Sequence, residues 1–223
     1  MNTGKKTVFA VSAIIILAVI LAAVAIYYKL NSGDSGESVN LPVPSVGAVS
    51  QFDYFKGNKE ASAILVEYSD FQCPACAAYY PLMKRLSEEF GDKMVFVYRH
   101  FPLSQHQNAE AAAIAVEAAG RQGKFWEMHD LIFDNQNEWS KSAKWSAKDV
   151  FVKYAQRLNL DAEKFKADFD LKEIKQKVAN DLESGAKAQV RGTPTFFLNG
   201  EKLSNPGNYE EFKKIIEAAI NKQ

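Results

Sequence analysis

A pair of cysteines separated by two residues is the part of this sequence best suited to chemistry. The chain has 223 residues and 2 Cys, and Cys73 and Cys76 enclose Pro74 and Ala75. Pro74 suits the first position of a helix because its φ is fixed and no N–H is needed there. Cys73 would then cap the helix, where unpaired N–H groups and the helix dipole favour a thiolate. We expect Cys73 to attack in a thiol–disulfide exchange and Cys76, one turn further on, to resolve the mixed disulfide.

Two other interpretations of the cysteine pair stay open from the residues alone. His100 and His106 could complete a zinc site with the two cysteines, although a predicted helix and strand separate Cys76 from His100, unlike a compact zinc finger. A purely structural disulfide would close a very short loop and stabilise the fold little. The exchange chemistry is therefore the favoured interpretation, and we expect no bound metal.

The predicted elements around the cysteines form a strand–helix–strand unit. Ile64–Tyr68 is a short apolar run rich in β-branched residues, which indicates a buried strand. Beyond the cysteines, apolar residues recur at helical spacing as far as Phe90, and Gly91 ends the pattern. Met94–Tyr98 is again strand-like. The segment therefore predicts a βαβ unit with the cysteines at the start of its helix.

The second half of the chain predicts many helices followed by a strand hairpin. From about residue 105 to residue 190 the periodicity is helical, beginning with an Ala-rich segment. Pro194–Leu198 then has the pattern of a strand, and Asn199-Gly200 is a strong hairpin turn signal. A final helix carries Phe212 and Ile216 on one apolar face. The whole sequence predicts an α/β protein.

The first thirty residues contain a long uncharged segment. As a helix, residues 7–28 would extend roughly 33 Å, enough to cross a hydrocarbon core of about 30 Å. A secretory signal normally has a shorter apolar region, but the small residues 23–25 could be a cleavage site, so both interpretations remain. Lys5 and Lys6 favour a cytoplasmic amino terminus. The predicted order is a cytoplasmic stub (1–6), a single-pass transmembrane anchor or signal sequence (7–28), a flexible linker (29–48) and a folded extracytoplasmic domain (49–223).

Two segments of the sequence resemble the DsbA-like branch of the thioredoxin superfamily. The first is Val66–Cys76, with the sequence VEYSDFQCPAC, and the second is Val190–Thr195, with the sequence VRGTPT. Members of this family are exported bacterial thiol–disulfide oxidoreductases. The resemblance implies a thioredoxin fold over about residues 55–220, interrupted by a helical insertion at about 105–190. It also accounts for Pro81, because a proline kinks the active-site helix across the superfamily.

The resemblance assigns roles to three residues away from the cysteines. Pro194 matches a cis-proline that lies against the cysteine pair, and Thr193 would offer backbone groups to a substrate and its hydroxyl to the sulfurs. Glu67 matches a buried acid beneath the disulfide, and a carboxyl within an apolar strand is costly unless it is paired or protonated. We expect Glu67 to accept the proton of the Cys76 thiol, the alternative being a solvent-facing strand edge. The predicted site comprises Cys73, Cys76 and Glu67 as catalytic residues, Thr193 and Pro194 as substrate-binding residues, and Pro74 and Ala75 within the motif.

The direction of exchange depends on how strongly the reduced form is stabilised. An oxidase requires a low pKa at Cys73, so that the reduced state is favoured over the disulfide. Ala75 supplies neither a charge nor a hydrogen bond where many oxidases of the family have His, so the helix terminus and Thr193 would have to stabilise the thiolate. We favour oxidation of exported proteins. The alternatives are a reductase or isomerase of the same fold, or a tethered metal-handling module.

The composition limits the partners of the protein. With 27 basic and 27 acidic residues the formal net charge is zero, which argues against a nucleic-acid partner. The expected partners are unfolded or partly folded exported proteins with free cysteines, and the lipid bilayer through residues 7–28. The resemblance also implies a quinone-linked membrane protein that reoxidises the cysteine pair. We expect no cofactor.

Overall fold

The structure, a computed structural model, describes residues 20–24, 26, 41–143 and 146–222. The chain divides into two compact units, residues 1–40 and residues 41–223. In the first unit, residues 20–24 and 26 are helical. The rest of the predicted stub and anchor, at 1–6 and 7–28, lies outside the described residues. Within the described part of the chain, no helix is long and apolar enough to span a bilayer.

A mixed β-sheet forms the centre of the second unit. In the order β1-β3-β2-β4-β5, strands β2 and β3 are parallel and the other neighbours are antiparallel. Helix α1 (Pro74–Phe90) connects the two parallel strands, so the predicted βαβ unit is confirmed. The strands are β1 (Tyr54–Gly57), β2 (Ala63–Ser69), β3 (Met94–His100), β4 (Thr195–Leu198) and β5 (Glu201–Lys202).

The helical insertion lies between β3 and β4, as predicted. Its Ala-rich helix α2 is buried along almost its whole length and contacts α3, α5, α6 and α7. Alanine side chains allow this close packing because they are small. The helices are α2 (Ala109–Gly120), α3 (Phe125–Asp134), α4 (Gln136–Trp139), α5 (Ala147–Arg157), α6 (Ala162–Asp168) and α7 (Lys172–Lys187), and α8 (Tyr209–Ile220) follows β5.

The two faces of the sheet are covered by different helices. On one face, Leu86 of α1 and Phe212 of α8 pack in one cluster with Leu65 of β2. On the other face, α7 approaches very closely through Gly185. A Cβ atom at this position would lie 2.6 Å from the ring of Phe101, so only glycine fits here. Both faces of β2 are therefore buried, which explains the apolar run Ala63–Val66 at its start.

Residues 41–48, the part of the predicted linker at 29–48 that the structure describes, pack against the sheet. Buried Arg99 of β3 donates hydrogen bonds to the carbonyl oxygens of Ser45, at 2.7 Å, and Ala48, at 2.8 Å. The Gly, Ser and Pro content predicted flexibility, but a buried guanidinium needs several acceptors, and this segment supplies them. The compact unit therefore begins at residue 41, and residues 29–40 lie outside the described residues.

Candidate active site

The two cysteines lie at the N-terminus of α1, just after the end of β2. Cys73 has an extended backbone, with φ −73° and ψ 122°, and Pro74 is the first residue of the helix, as predicted. The Cys73 side chain is 7% exposed and Cys76 is fully buried. Both are free thiols in this structure. Cys73 is therefore the more exposed of the two cysteines, and Cys76 is the inner one.

The two thiols differ strongly in proton affinity. A hydrogen bond from the Cys76 side chain lowers the pKa of Cys73 to about 5, with further contributions from Thr193 and the N–H groups of Cys76 and Ala75, although burial opposes them. Burial raises the pKa of Cys76 well above its ordinary value, and the interactions with Cys73 and Glu67 raise it further. At neutral pH, Cys73 is therefore a thiolate, and Cys76 retains its proton and donates it to the neighbouring sulfur.

The loop before β4 lies against Cys73. The peptide bond between Thr193 and Pro194 is cis, as the resemblance implied. The Cys73 sulfur lies 3.5 Å from the Thr193 carbonyl oxygen, to which its protonated form can donate a hydrogen bond. The side-chain amide of Asn205 donates a hydrogen bond to the Pro194 carbonyl oxygen at 2.8 Å and so anchors this loop. The fold thus brings together the two motifs, which are about 120 residues apart in the sequence.

Glu67 lies inside the sheet beneath the cysteines. It is 3% exposed, and β2 places it between Tyr98 of β3 and Phe196 of β4. It is therefore not on a solvent-facing strand edge. Burial raises the pKa of Glu67 to about 7, the charge of Cys73 adds to the increase, and the nearby Ser69 hydroxyl opposes it. A carboxyl with this pKa, interacting with the charges of both sulfurs, can exchange a proton near neutral pH.

The two histidines that could have completed a zinc site contact carboxylates instead. His100 Nε2 lies 2.9 Å from Glu117 Oε1, and the ring packs among aromatic side chains. His106 Nδ1 lies 2.7 Å from Asp70 Oδ2. Among the residues that the structure describes, no three or more His, Cys, Asp and Glu side chains are grouped to hold a metal ion. The structure therefore does not bring the two histidines to the cysteines as a ligand set.

Two glutamines that the sequence did not single out hold the cysteine loop to the insertion. Gln136 Nε2 of α4 donates to the carbonyl oxygens of Phe71, at 2.8 Å, and Cys73, at 3.0 Å. Gln72 Nε2 donates to the Ser140 carbonyl at 2.6 Å. No local sequence signal identifies Gln136, because its partners lie more than 60 residues earlier in the chain.

Asp70 is the third polar residue that sequence reasoning missed. Its carboxylate is buried and accepts hydrogen bonds from Gln72 N at 2.7 Å and Leu103 N at 2.8 Å, as well as from His106. A signal was present in the sequence. A carboxylate that directly follows an apolar strand commonly accepts from the backbone N–H two residues later, in an Asx turn.

The sequence matches known proteins over most of the second unit. Residues 50–218 match the family model described as Thioredoxin. The chain is 36% identical over 169 residues to Na(+)/H(+) antiporter NhaA 3 of Salinispora tropica, covering 75% of this chain and 25% of that protein. It is 34% identical over 169 residues to Na(+)/H(+) antiporter NhaA of Herminiimonas arsenicoxydans, covering 76% of this chain and 26% of that protein. The chain thus spans about a quarter of the length of these curated relatives.

Solved structures share the fold. Alpha-DsbA1 of Wolbachia pipientis has a TM-score of 0.68 at 22% identity, covering 78% of this chain and 94% of that one. Oxidised BdbD of Bacillus subtilis has a TM-score of 0.69 at 20% identity, covering 81% of this chain and 99% of that one. The catalytic domain of ScsC from Proteus mirabilis has a TM-score of 0.63 at 19% identity, covering 76% of this chain and 90% of that one. At these identities the similarity establishes the fold.

Proposed function

The chain belongs to the thioredoxin family, and from that premise we propose that it is an extracytoplasmic thiol–disulfide oxidoreductase that oxidises cysteine pairs in exported proteins. The observation that carries this proposal is the difference between the two sulfurs at the start of α1. The pKa of Cys73 is about 5 and that of Cys76 is raised well above its ordinary value. Because the thiolate is the reactive form, Cys73 is the nucleophile and leaving group, and Cys76 is the resolving sulfur.

Oxidation of a client would proceed in two exchanges. A client thiolate attacks Cys73 in the Cys73–Cys76 disulfide, the bond between the two enzyme sulfurs breaks, and Cys76 leaves as a thiolate that takes a proton from Glu67. A second client thiolate then attacks the client sulfur of the mixed disulfide, and Cys73 leaves. The client gains a disulfide, and the enzyme gains the two electrons. The carbonyl of Thr193 and the edge of Pro194 border Cys73, where they can align an extended client segment.

The low pKa of Cys73 is the argument for oxidation over reduction. A thiolate that is stable at neutral pH favours the reduced enzyme, so the disulfide form is a strong oxidant. Ala75 adds no charge to this effect. The stabilisation comes instead from the Cys76 thiol and from the N–H groups at the start of α1.

Trapping of a mixed disulfide tests the exchange chemistry. In a Cys76→Ala variant Cys73 can still attack a disulfide of an exported protein, but no inner thiol is present to resolve the mixed disulfide, so we expect client proteins to remain bound to Cys73 and to run as reductant-sensitive adducts on a non-reducing gel. The matched control is Cys73→Ala, which keeps the inner sulfur and should form no such adducts. Absence of adducts from Cys76→Ala in cells that export cysteine-containing proteins would contradict the proposal.

The direction is tested separately by equilibration with glutathione. The oxidase assignment predicts a reduction potential near the value of about −120 mV that is typical of strong oxidants of this kind. A potential near about −270 mV, as in thioredoxin, would instead indicate a disulfide reductase of the same fold.

The extracytoplasmic location is supported by the sequence of residues 7–28 and by the basic residues before it. In intact cells, a membrane-impermeant thiol reagent should label Cys73 of the full chain when the outer surface is accessible, and the Cys73→Ala variant should remain unlabelled. An anchor would also keep the domain near a quinone-linked membrane partner that reoxidises it. Labelling that requires cell lysis would contradict this part of the proposal.

A further inference from the structure

The backbone of Asp70 lies between the two reactive cysteines. Its N–H donates a hydrogen bond to the Cys76 sulfur at 3.5 Å. Its carbonyl oxygen accepts from the Cys73 N–H at 3.0 Å. The backbone of this one residue therefore contacts the inner sulfur and also fixes the start of the active-site helix.

The side chain of Asp70 holds that backbone in place. The carboxylate is buried, and its donors come from two directions. Gln72 N belongs to the cysteine loop, whereas Leu103 N and His106 Nδ1 belong to the segment that follows β3. The carboxylate thus ties the loop between β2 and α1 to a second chain segment. Of these donors only His106 is a side chain, and it is the one that a substitution can remove.

The inner sulfur needs such a donor when it carries charge. Cys76 is fully buried, so its thiolate is poorly stabilised, yet every turnover forms that thiolate, either as leaving group or as attacking group. In the reduced state the Cys76 thiol donates a hydrogen bond to Cys73. This interaction does not stabilise a negative charge on the Cys76 sulfur. In the described part of the chain, the Cys76 sulfur accepts a hydrogen bond from the backbone N–H of Asp70.

We propose that the Asp70 N–H is a catalytic hydrogen-bond donor to the Cys76 thiolate, and that His106 is a positioning residue that aims this N–H through the Asp70 carboxylate. The proposal rests on the proposed function and adds two residues to it. In the resolving direction, Glu67 takes the Cys76 proton, the Cys76 sulfur bonds to the Cys73 sulfur, and the bond from Cys73 to the client sulfur breaks. The client leaves as a thiolate, so protons and electrons balance.

His106 also offsets an electrostatic cost of this arrangement. A buried carboxylate close to a forming thiolate would oppose the second negative charge. A donor from the imidazole, together with two backbone N–H groups, withdraws charge from the carboxylate. The His106 side chain is 20% exposed and lies in the wall of a 290 Å³ surface cavity with Glu110 and Lys175.

The test follows two thiols in one reaction. When the reduced full chain is mixed with 5,5′-dithiobis(2-nitrobenzoate), the first, bimolecular release of chromophore reports attack by Cys73. The second, unimolecular release reports attack by Cys76 on the resulting mixed disulfide. We expect His106→Ala to slow the second phase about fivefold to tenfold, the order of effect of one ordinary hydrogen bond, and to leave the first phase within about twofold.

A variant that restores the hydrogen-bond donor at position 106 distinguishes a positioning role of His106 from a role in stability alone. The Nδ2 atom of an asparagine can replace the donating Nδ1 atom of histidine, so His106→Asn should restore most of the second-phase rate. Ser104→Ala, an exposed change in the same segment, is the matched control and should resemble the wild type. If His106→Ala does not fold, His106→Leu provides the second test, because it removes the donor to the Asp70 carboxylate while keeping most of the side-chain volume, and it should slow the second phase as well.

Each outcome has a distinct meaning. A second phase that is unchanged in His106→Ala, or that asparagine fails to restore, overturns the inference, as does equal slowing of both phases. These results leave the proposed function intact as long as the first phase is fast and Cys76→Ala releases only the first chromophore. Absence of a fast first phase in the wild type would instead contradict the proposed function.

Discussion

Cys73 and Cys76 are three residues apart, yet their environments shift their pKa values in opposite directions. The Cys76 thiol and the N–H groups at the helix terminus lower the pKa of the outer sulfur, whereas burial and the nearby Glu67 raise the pKa of the inner sulfur. The largest single cause of the low pKa of Cys73 is the hydrogen bond from the Cys76 side chain. The two sulfurs therefore act as one unit in which the inner thiol stabilises the outer thiolate.

A first prediction tests that dependence. In Cys76→Ala the donor is lost, so the pKa of Cys73 should rise from about 5 toward its ordinary value near 9. In Cys76→Ser a hydroxyl donor remains, so the increase should be smaller. The measurement is the rate of Cys73 alkylation by iodoacetamide as a function of pH. Identical midpoints in the two variants would show that the helix terminus alone stabilises the thiolate.

A second prediction concerns the stability cost of Glu67. The folded-state pKa is about 7, above the ordinary value of 4.5, so the contribution of Glu67 to stability is fully present below about pH 4.5 and is lost as the pH rises through about 7. Glu67→Gln removes this loss. At pH 8 we expect the variant to be more stable than the wild type by roughly 3 kcal/mol, with little difference at pH 4. Urea unfolding of the reduced proteins at both pH values measures the difference.

The same variant should be slower in catalysis. Without a carboxyl to accept the Cys76 proton, the second phase of the chromophore release should slow at neutral pH, while attack by Cys73 is retained. A variant that is both less stable and unchanged in rate would show that Glu67 is a structural residue.

At this scale, the sequence could identify residues whose chemistry is local. Cys73, Cys76 and Pro74 are adjacent to one another, and Glu67 is conspicuous as a carboxyl within an apolar strand. Asp70 and His106 were not predicted as a pair, because their contact joins two loops that are 36 residues apart. Hydrogen bonds between distant loops have no periodicity for a sequence to display.

Elements with strong periodicity were predicted well, and weak ones were missed. Helix α1, strand β2 and the hairpin at Asn199-Gly200 agree with the structure to within a few residues. Strand β1 was not predicted, since it is short, only partly buried and ends at Gly57, which has a positive φ. It exists because it pairs with β3. The four-residue helix α4 was missed for a similar reason, because it depends on its tertiary contacts.

The missed helix α4 is nevertheless the element that holds the active-site loop to the insertion. Its Gln136 donates to the carbonyl oxygens of Phe71 and Cys73. A third prediction is that Gln136→Leu lowers the free energy of unfolding by about 1–3 kcal/mol, because two partly buried carbonyl groups lose a donor. Asn137→Leu, at the exposed neighbouring position, is the matched control and should change it by less than about 0.5 kcal/mol. Equal effects of the two changes in urea unfolding would contradict this role.

For the whole molecule, the reactive disulfide and the stability of the fold are linked through the pKa of Cys73. The reduced protein contains a thiolate that the fold stabilises, whereas the oxidised protein has no titrating thiol. Because the folded-state pKa lies below the ordinary value near 9, this stabilisation is complete above that value and is lost as the pH falls through about 5. The reduced form should therefore be the more stable form at neutral pH, as expected for an enzyme that gives its disulfide away.

A fourth prediction follows for the difference in unfolding free energy between the reduced and oxidised proteins. As the pH falls from about 8 to about 5, this difference should shrink by up to about 1.4 kcal/mol per pH unit, the limit for one proton. Urea unfolding with and without a reductant measures it, and a Glu67→Gln background removes the other group that titrates in this range. A difference that does not change with pH would mean that the fold does not stabilise the Cys73 thiolate. The physical argument for oxidation would then fail, because the same thiolate that stabilises the reduced fold is the one that makes the disulfide an oxidant.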